Sequence, residues 1–156
     1  MKKGIVIFVF LISLSLFSQE KPSIEVELNI GAPIGKVDFP TEFVMGIKIN
    51  YLFEVSRKLF LGPSISYNYF FAENNNSFSS ASILPIALNS GYELFKGLSV
   101  DLDLGYALGI TNAEGGEFYF RPGLGINLGK HIKLEGFYSD AGFYKYAGLG
   151  LSYCFR

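Results

Sequence analysis

The chain has 156 residues, enough for one domain. With Lys+Arg 13 against Asp+Glu 14 and a formal net charge of −1, it lacks the basic excess that nucleic-acid binding needs. Hydrophobic residues make up 49% and charged residues only 17%, which excludes an intrinsically disordered chain. Gly 18, Tyr 10 and Phe 16, with no Trp, favour strands and turns over helices.

Residues 1–18 begin with Lys2 and Lys3, continue through an apolar stretch over 4–17 broken only by Ser13 and Ser15, and end at Ser18. This reads as a secretory signal peptide cut after Ser18, its apolar core being shorter than a membrane-spanning helix requires. Residues 19–156 then form a single domain in which no apolar run approaches the roughly 18 to 20 residues of a spanning helix.

Alternation with period two, which sends successive side chains to opposite faces of a strand, runs through nearly all of that domain. Ile24, Val26, Leu28 and Ile30 alternate with Ser23, Glu25, Glu27 and Asn29. Phe43 to Val55 sets Met45, Ile47, Ile49, Tyr51 and Phe53 against Gly46, Lys48, Asn50 and Glu54. Leu59 to Phe71 sets Leu61, Ile65, Tyr67 and Tyr69 against Gly62, Ser64, Ser66 and Asn68. Ile83 to Leu94 sets Leu84, Ile86, Leu88 and Tyr92 against Ala87, Asn89, Gly91 and Glu93. The cleanest pattern is Leu98 to Ile110, with Val100, Leu102, Leu104, Tyr106 and Leu108 against Ser99, Asp101, Asp103, Gly105 and Ala107. Phe118 to Leu128 sets Phe120, Leu124 and Ile126 against Tyr119, Arg121, Gly123 and Gly125. A shorter, weaker segment, Ile132 to Tyr138, sets Leu134 against Lys133, Glu135 and Phe137. The last, Tyr144 to Phe155, sets Leu149, Leu151 and Tyr153 against Tyr146, Gly148, Gly150, Ser152 and Cys154.

Eight strands are therefore expected. Tight turns at 56–58, 95–97 and 129–131 lie at one end, and longer connections at 31–42, 72–82, 111–117 and 139–143 at the other. Such a meander fits an all-β, up-and-down antiparallel barrel, which removes its own sheet edges by closing. The polar faces are rich in glycine, and an eight-stranded barrel leaves an interior just wide enough for side chains to fill. Glycines interleaved with a few long charged residues suit that interior, while the broad apolar faces, aromatic toward their ends, suit a lipid-facing exterior with interfacial girdles. Turning Lys48 or Arg121 to lipid would cost about 2–4 kcal/mol each near the midplane. The expected fold is a transmembrane β-barrel with a polar, glycine-rich lumen.

The signal peptide, the eight alternating strands and the final Leu149, Leu151, Tyr153, Phe155 pattern resemble the small eight-stranded bacterial outer-membrane barrels of the OmpX and OmpA transmembrane-domain type. In this sequence Phe155 is followed by Arg156. The segments 89–94 (NSGYEL) and 103–109 (DLGYALG) look like the small outer-membrane barrels common in Bacteroidetes. The resemblance implies location in the outer membrane of a Gram-negative bacterium, contact with outer-membrane lipid, and recognition of the last strand by the barrel-assembly machinery. A surface ligand or envelope partner is left unidentified.

The candidate interior set is Glu25, Glu27, Lys48, Glu54, Glu93, Asp101, Asp103, Arg121, Lys133 and Glu135. It reads either as a salt-bridge network that fixes the register and plugs the lumen or as an ion path, and its acid excess would prefer cations. Phe39, Asn75 and Phe78 are candidate contacts on the long connections. Catalysis of the histidine-dependent kind is not expected, because the sole histidine, His131, falls in a tight turn at the opposite end from Ser139 and Asp140. One His and one Cys cannot build the usual transition-metal site. Gly123-x-Gly125 lacks the third glycine and following helix of a dinucleotide site, so no cofactor is expected. Cys154 reads as a small buried filler. The expected role is non-enzymatic, structural or surface-interacting, in the envelope. The alternatives are a narrow cation-preferring channel and an accessory subunit of an envelope secretion or assembly complex.

Overall fold

A computed structural model of the chain describes residues 22–34, 41–72, 80–113 and 115–155. Residues 1–18, together with Phe39, Asn75 and Phe78, lie outside the described residues. Eight strands follow one another: β1 (Ser23–Pro33), β2 (Thr41–Ser56), β3 (Leu59–Ala72), β4 (Ala81–Phe95), β5 (Leu98–Thr111), β6 (Gly116–Leu128), β7 (Ile132–Ala141) and β8 (Tyr144–Phe155). Each pairs with the next, and β8 returns to β1, so the sheet closes into a barrel.

The closing seam is as regular as the hairpins, with Ile24 opposite Phe155, Leu28 opposite Leu151 and Ala32 opposite Ala147, all antiparallel. Because side chains alternate with a period of two, this register assigns every residue to lipid or lumen, and a one-residue slip would exchange the two sets. The lipid set is the apolar one: Leu28 is 64% exposed, Leu149 58% and Leu124 58%. Aliphatic residues such as Leu28, Ile47, Leu88 and Leu104 occupy the middle of that surface, with aromatic residues above and below them. At the short-turn end lie Tyr51, Tyr92, Phe95, Tyr153 and Phe155, and at the long-loop end Tyr67, Tyr106 and Phe118.

Two of the expected connections shorten to turns. The connection expected over 139–143 is only the two-residue turn Gly142 and Phe143, since β7 continues to Ala141 and Ser139 becomes a buried lumen residue. Gly142 takes φ 65 there, which a glycine tolerates without a Cβ penalty. The connection expected over 111–117 shrinks to Asn112 through Gly115, with Asn112 at φ 49. Serine and aspartate at 139–140 suggested a loop, but cross-strand pairing of Ser139 with Tyr146 and Asp140 with Lys145 holds them in the sheet.

If the lipid-facing assignment is right, Leu88→Arg, placed mid-strand on β4, should cost about 2–4 kcal/mol of stability in vesicles. Denaturant titration of the folded barrel reads this directly. A loss of only a few tenths of a kcal/mol would place Leu88 against water or protein.

Candidate functional site in the barrel lumen

The inward residues of eight strands meet in three layers. The central layer forms around Arg121 on β6, which is only 2% exposed. Its Nη2 donates to Glu27 Oε1 at 2.6 Å, while Nη1 lies 3.2 Å from Asp103 Oδ2 and 3.0 Å from Glu135 Oε1. Lys48 reaches the same carboxylates from β2, with Nζ 3.1 Å from Asp103 Oδ2 and 3.5 Å from Glu27 Oε2. Asn89 Nδ2 donates to Asp103 Oδ1 at 2.7 Å, and Asn29 Nδ2 to Glu27 Oε1 at 3.2 Å.

A second layer lies toward the short-turn end. Lys133 Nζ stands 3.0 Å from Glu25 Oε1, 3.2 Å from Asp101 Oδ1 and 3.4 Å from Glu135 Oε2. Ser99 Oγ donates to Asp101 Oδ2 at 2.9 Å and Asn50 Nδ2 to Glu25 Oε1 at 3.1 Å. Glu135 joins the layers, since one of its oxygens faces Arg121 and the other Lys133. Glu25, Glu27, Lys48, Asp101, Asp103, Arg121, Lys133 and Glu135, eight residues from five strands, thus form one connected network.

Glu54 and Glu93 do not belong to it. Glu54 is exposed because β2 overshoots the barrel wall and its register shifts between Glu54 and Ser56. Glu93 is half-buried at the mouth, where its Oε1 accepts from the Gly97 backbone N–H at 3.3 Å. Cys154 is also not a buried filler: one residue from the end of β8, it is partly exposed and lines the same mouth.

The third layer, toward the long loops, escaped the sequence reading. Phe70, Tyr119, Phe137 and Tyr146 pack with Val44, Ile83, Ala81, Ala107 and Ala141 inside the barrel. Phe137 and Phe70 both meet the Tyr146 ring edge-on at 5.6 Å, and the Arg121 guanidinium lies 3.8 Å above the Phe137 ring centroid. Such edge-to-face and cation–π contacts join the apolar layer to the charged one. The available signal was large apolar or aromatic residues on the glycine-rich beat, at 70, 83, 119, 137 and 146.

Cavities follow the same division. A cavity of about 530 Å³ opens at the short-turn end between Glu25, Glu93, Lys96, Lys130, Lys133 and Cys154. Beside it a pocket of about 60 Å³ reaches Asp101 and Ser99. At the other end, behind the aromatic layer, the space between Ile83, Ala107 and Tyr144 is only about 10 Å³. His131 stays exposed in its turn, its ring stacked on Tyr153 and its Nδ1 3.0 Å from the Cys154 carbonyl oxygen. Among the described residues no group of three or more His, Cys, Asp or Glu side chains is placed to hold a metal ion.

No family model and no curated protein matches the chain. Solved structures do. The outer membrane protein Ail of Yersinia pestis in a phospholipid bilayer nanodisc superimposes with a TM-score of 0.59 at 14% identity, over 87% of this chain and 100% of Ail. A de novo designed transmembrane β-barrel gives 0.58 at 15% identity, over 88% and 98%. Ail in complex with the heparin analogue sucrose octasulfate gives 0.51 at 15% identity, over 86% and 96%. The chain therefore has the fold of the small eight-stranded transmembrane barrels.

Removing Arg121 would leave the carboxylates of Glu27, Asp103 and Glu135 to share Lys48, so Arg121→Met should destabilise by about 3–5 kcal/mol. Asp103→Asn should cost distinctly less, because it relieves an acid excess instead of creating one. Guanidinium unfolding from vesicles compares the two, and equal losses would mean that charge balance does not hold the lumen together.

Proposed function

We propose that this chain is a non-enzymatic barrel of the bacterial outer membrane, exported by residues 1–18, with a structural or surface-interaction role and a lumen that does not conduct. The observation that carries the proposal is the filling of the lumen. Arg121, Lys48, Glu27, Glu135, Tyr119 and Tyr146 are each at most 2% exposed, so no water-sized path runs past them in the folded barrel. An ion would have to break both the charge network and the aromatic layer to cross.

The turns at 57–58, 96–97 and 129–131 share one end with the start of β1 and the end of β8, and in this reading that end faces the periplasm; the other four connections, three of them longer, face outward. Contact with a ligand then belongs to the outer rim. Among its described residues, Glu42, Glu117 and Asp140 stand against Lys145, which is paired with Asp140 at 2.9 Å. Ail has been solved with a sulfated polyanion. The acidic rim here would repel one, and we place a neutral or cationic surface ligand there instead.

The test is electrical. The folded mature chain, its insertion verified by protease resistance, should give no discrete conductance steps in planar bilayers. Reproducible cation-selective steps that change with Asp101→Asn and Asp103→Asn would overturn the closed-lumen reading. Recovery of the protein in the soluble periplasmic fraction without detergent would overturn the membrane assignment.

A further inference from the structure

Among the described residues, the two rims of the barrel carry opposite charge. At the short-turn end Arg57 and Lys58 occupy the β2–β3 turn, Lys96 the β4–β5 turn and Lys130 the β6–β7 turn, and all four are exposed. The carboxylates at that end that are not buried are, among the described residues, Glu54 and Glu93, and Glu93 is engaged with the Gly97 N–H, while Glu25 is buried against Lys133. The long-loop rim has the reverse balance, as the previous subsection describes.

The turns that carry these cations are tied to the barrel wall. The Lys58 carbonyl accepts from Glu93 N–H at 2.8 Å, the Gly97 carbonyl from Asn127 N–H at 2.7 Å, and the His131 carbonyl from Cys154 N–H at 2.7 Å. Each short turn is thereby tied by a backbone hydrogen bond to the strand beyond its own hairpin, and this limits the ordering cost of binding at the rim. Immediately next to these turns lies the short-turn aromatic girdle, with Phe95 72%, Phe155 55%, Tyr92 46% and Tyr153 46% exposed. Side chains of that kind settle where acyl chains give way to headgroups. The cations are thus placed at headgroup depth.

We propose that the short-turn rim, through Arg57, Lys58, Lys96 and Lys130, is a binding surface for the phosphate headgroups of anionic phospholipids in the leaflet at that end. The lipid's glycerol and acyl chains lie along the aromatic girdle while its phosphodiester faces the cations. An exposed ammonium or guanidinium beside an anionic membrane surface favours association by about five-fold per charge. The attraction falls off within a Debye length of roughly 8–10 Å at ordinary salt. A zwitterionic lipid gains no such net attraction. The long-loop rim disfavours anionic lipid by the same physics, so the barrel distinguishes the leaflets by charge. The inference requires a barrel inserted in a bilayer and is independent of whether the lumen conducts.

The test uses the folded mature chain in vesicles of phosphatidylcholine mixed with phosphatidylglycerol, with spin-labelled forms of each lipid reporting the fraction immobilised at the protein. Phosphatidylglycerol should be favoured over phosphatidylcholine by about five-fold, falling toward parity in high salt. The combined variant Arg57→Gln, Lys58→Gln, Lys96→Gln, Lys130→Gln should lose the preference. Lys145→Gln, at the other rim, should keep it. Heat-modifiable gel migration verifies that each variant is folded and inserted, and the salt series on the unaltered chain tests the proposal without any variant. No preference in the unaltered chain, or a preference that survives the combined variant, would overturn the proposal. So would loss of preference on adding inorganic phosphate but not on adding chloride at equal ionic strength, because the rim would then be a free-phosphate site.

Discussion

Arg121 lies almost wholly buried in the middle of the lumen, 2.6 Å from Glu27 and within 3.2 Å of Asp103 and Glu135. Moving such an ion out of water costs several kcal/mol even after relaxation, and only close, multiple pairing offsets it. The pairing in turn fixes the strands that must be present. Glu27 comes from β1, Asp103 from β5 and Glu135 from β7, so the guanidinium is satisfied only when strands distant in sequence are already in register. A one-residue slip of β1 would turn Glu27 to lipid and Leu28 into the charge cluster. The network therefore selects the register more sharply than apolar burial does, because lipid accepts any apolar side chain along its length.

Barrel size imposes the next constraint. Eight strands leave an interior that side chains fill, so each long residue needs a small one opposite. Gly150 shows why. A Cβ there would lie 2.6 Å from Glu27 Cδ, and one at Gly123 would lie 2.6 Å from Glu135 Oε1. Any larger residue at either position would displace a carboxylate that Arg121 requires. The glycines on the inward beat of β6 and β8 belong to the electrostatics as much as to the packing.

Most of this was legible in the sequence because period two is a strong signal when one face meets lipid. The alternation from Leu98 to Ile110 assigned Asp101 and Asp103 to the lumen, and the same argument placed Lys48, Arg121 and Glu135 with them. Two kinds of residue were harder to read. Ser139 and Asp140 have turn-like composition, yet pairing with Tyr146 and Lys145 across the β7–β8 hairpin keeps them in strand. Glu54 and Glu93 have lumen parity but lie so near their strand ends that parity no longer decides where they point. The aromatic layer was missed for a different reason. Phe70, Tyr119, Phe137 and Tyr146 each fall on the polar beat of a different strand, and only closure of the barrel shows that they meet.

The two closures of the lumen stand in series and differ in chemistry, which separates sealing from stability. The charge network resists an ion because every carboxylate is already engaged by Arg121, Lys48 or Lys133. Beyond it, an ion at the aromatic layer would have to shed its water between the packed rings of Phe70, Phe137 and Tyr146, beside which the only replacements are neutral side chains such as Asn68 and Ser139. Breaking one barrier leaves the other. Removing a charge should therefore weaken the fold before it opens a path, and trimming one ring should loosen the outer half while the ions below stay paired. With both layers packed and the lateral face given to lipid, the two rims are the parts of the barrel left to meet water and headgroups.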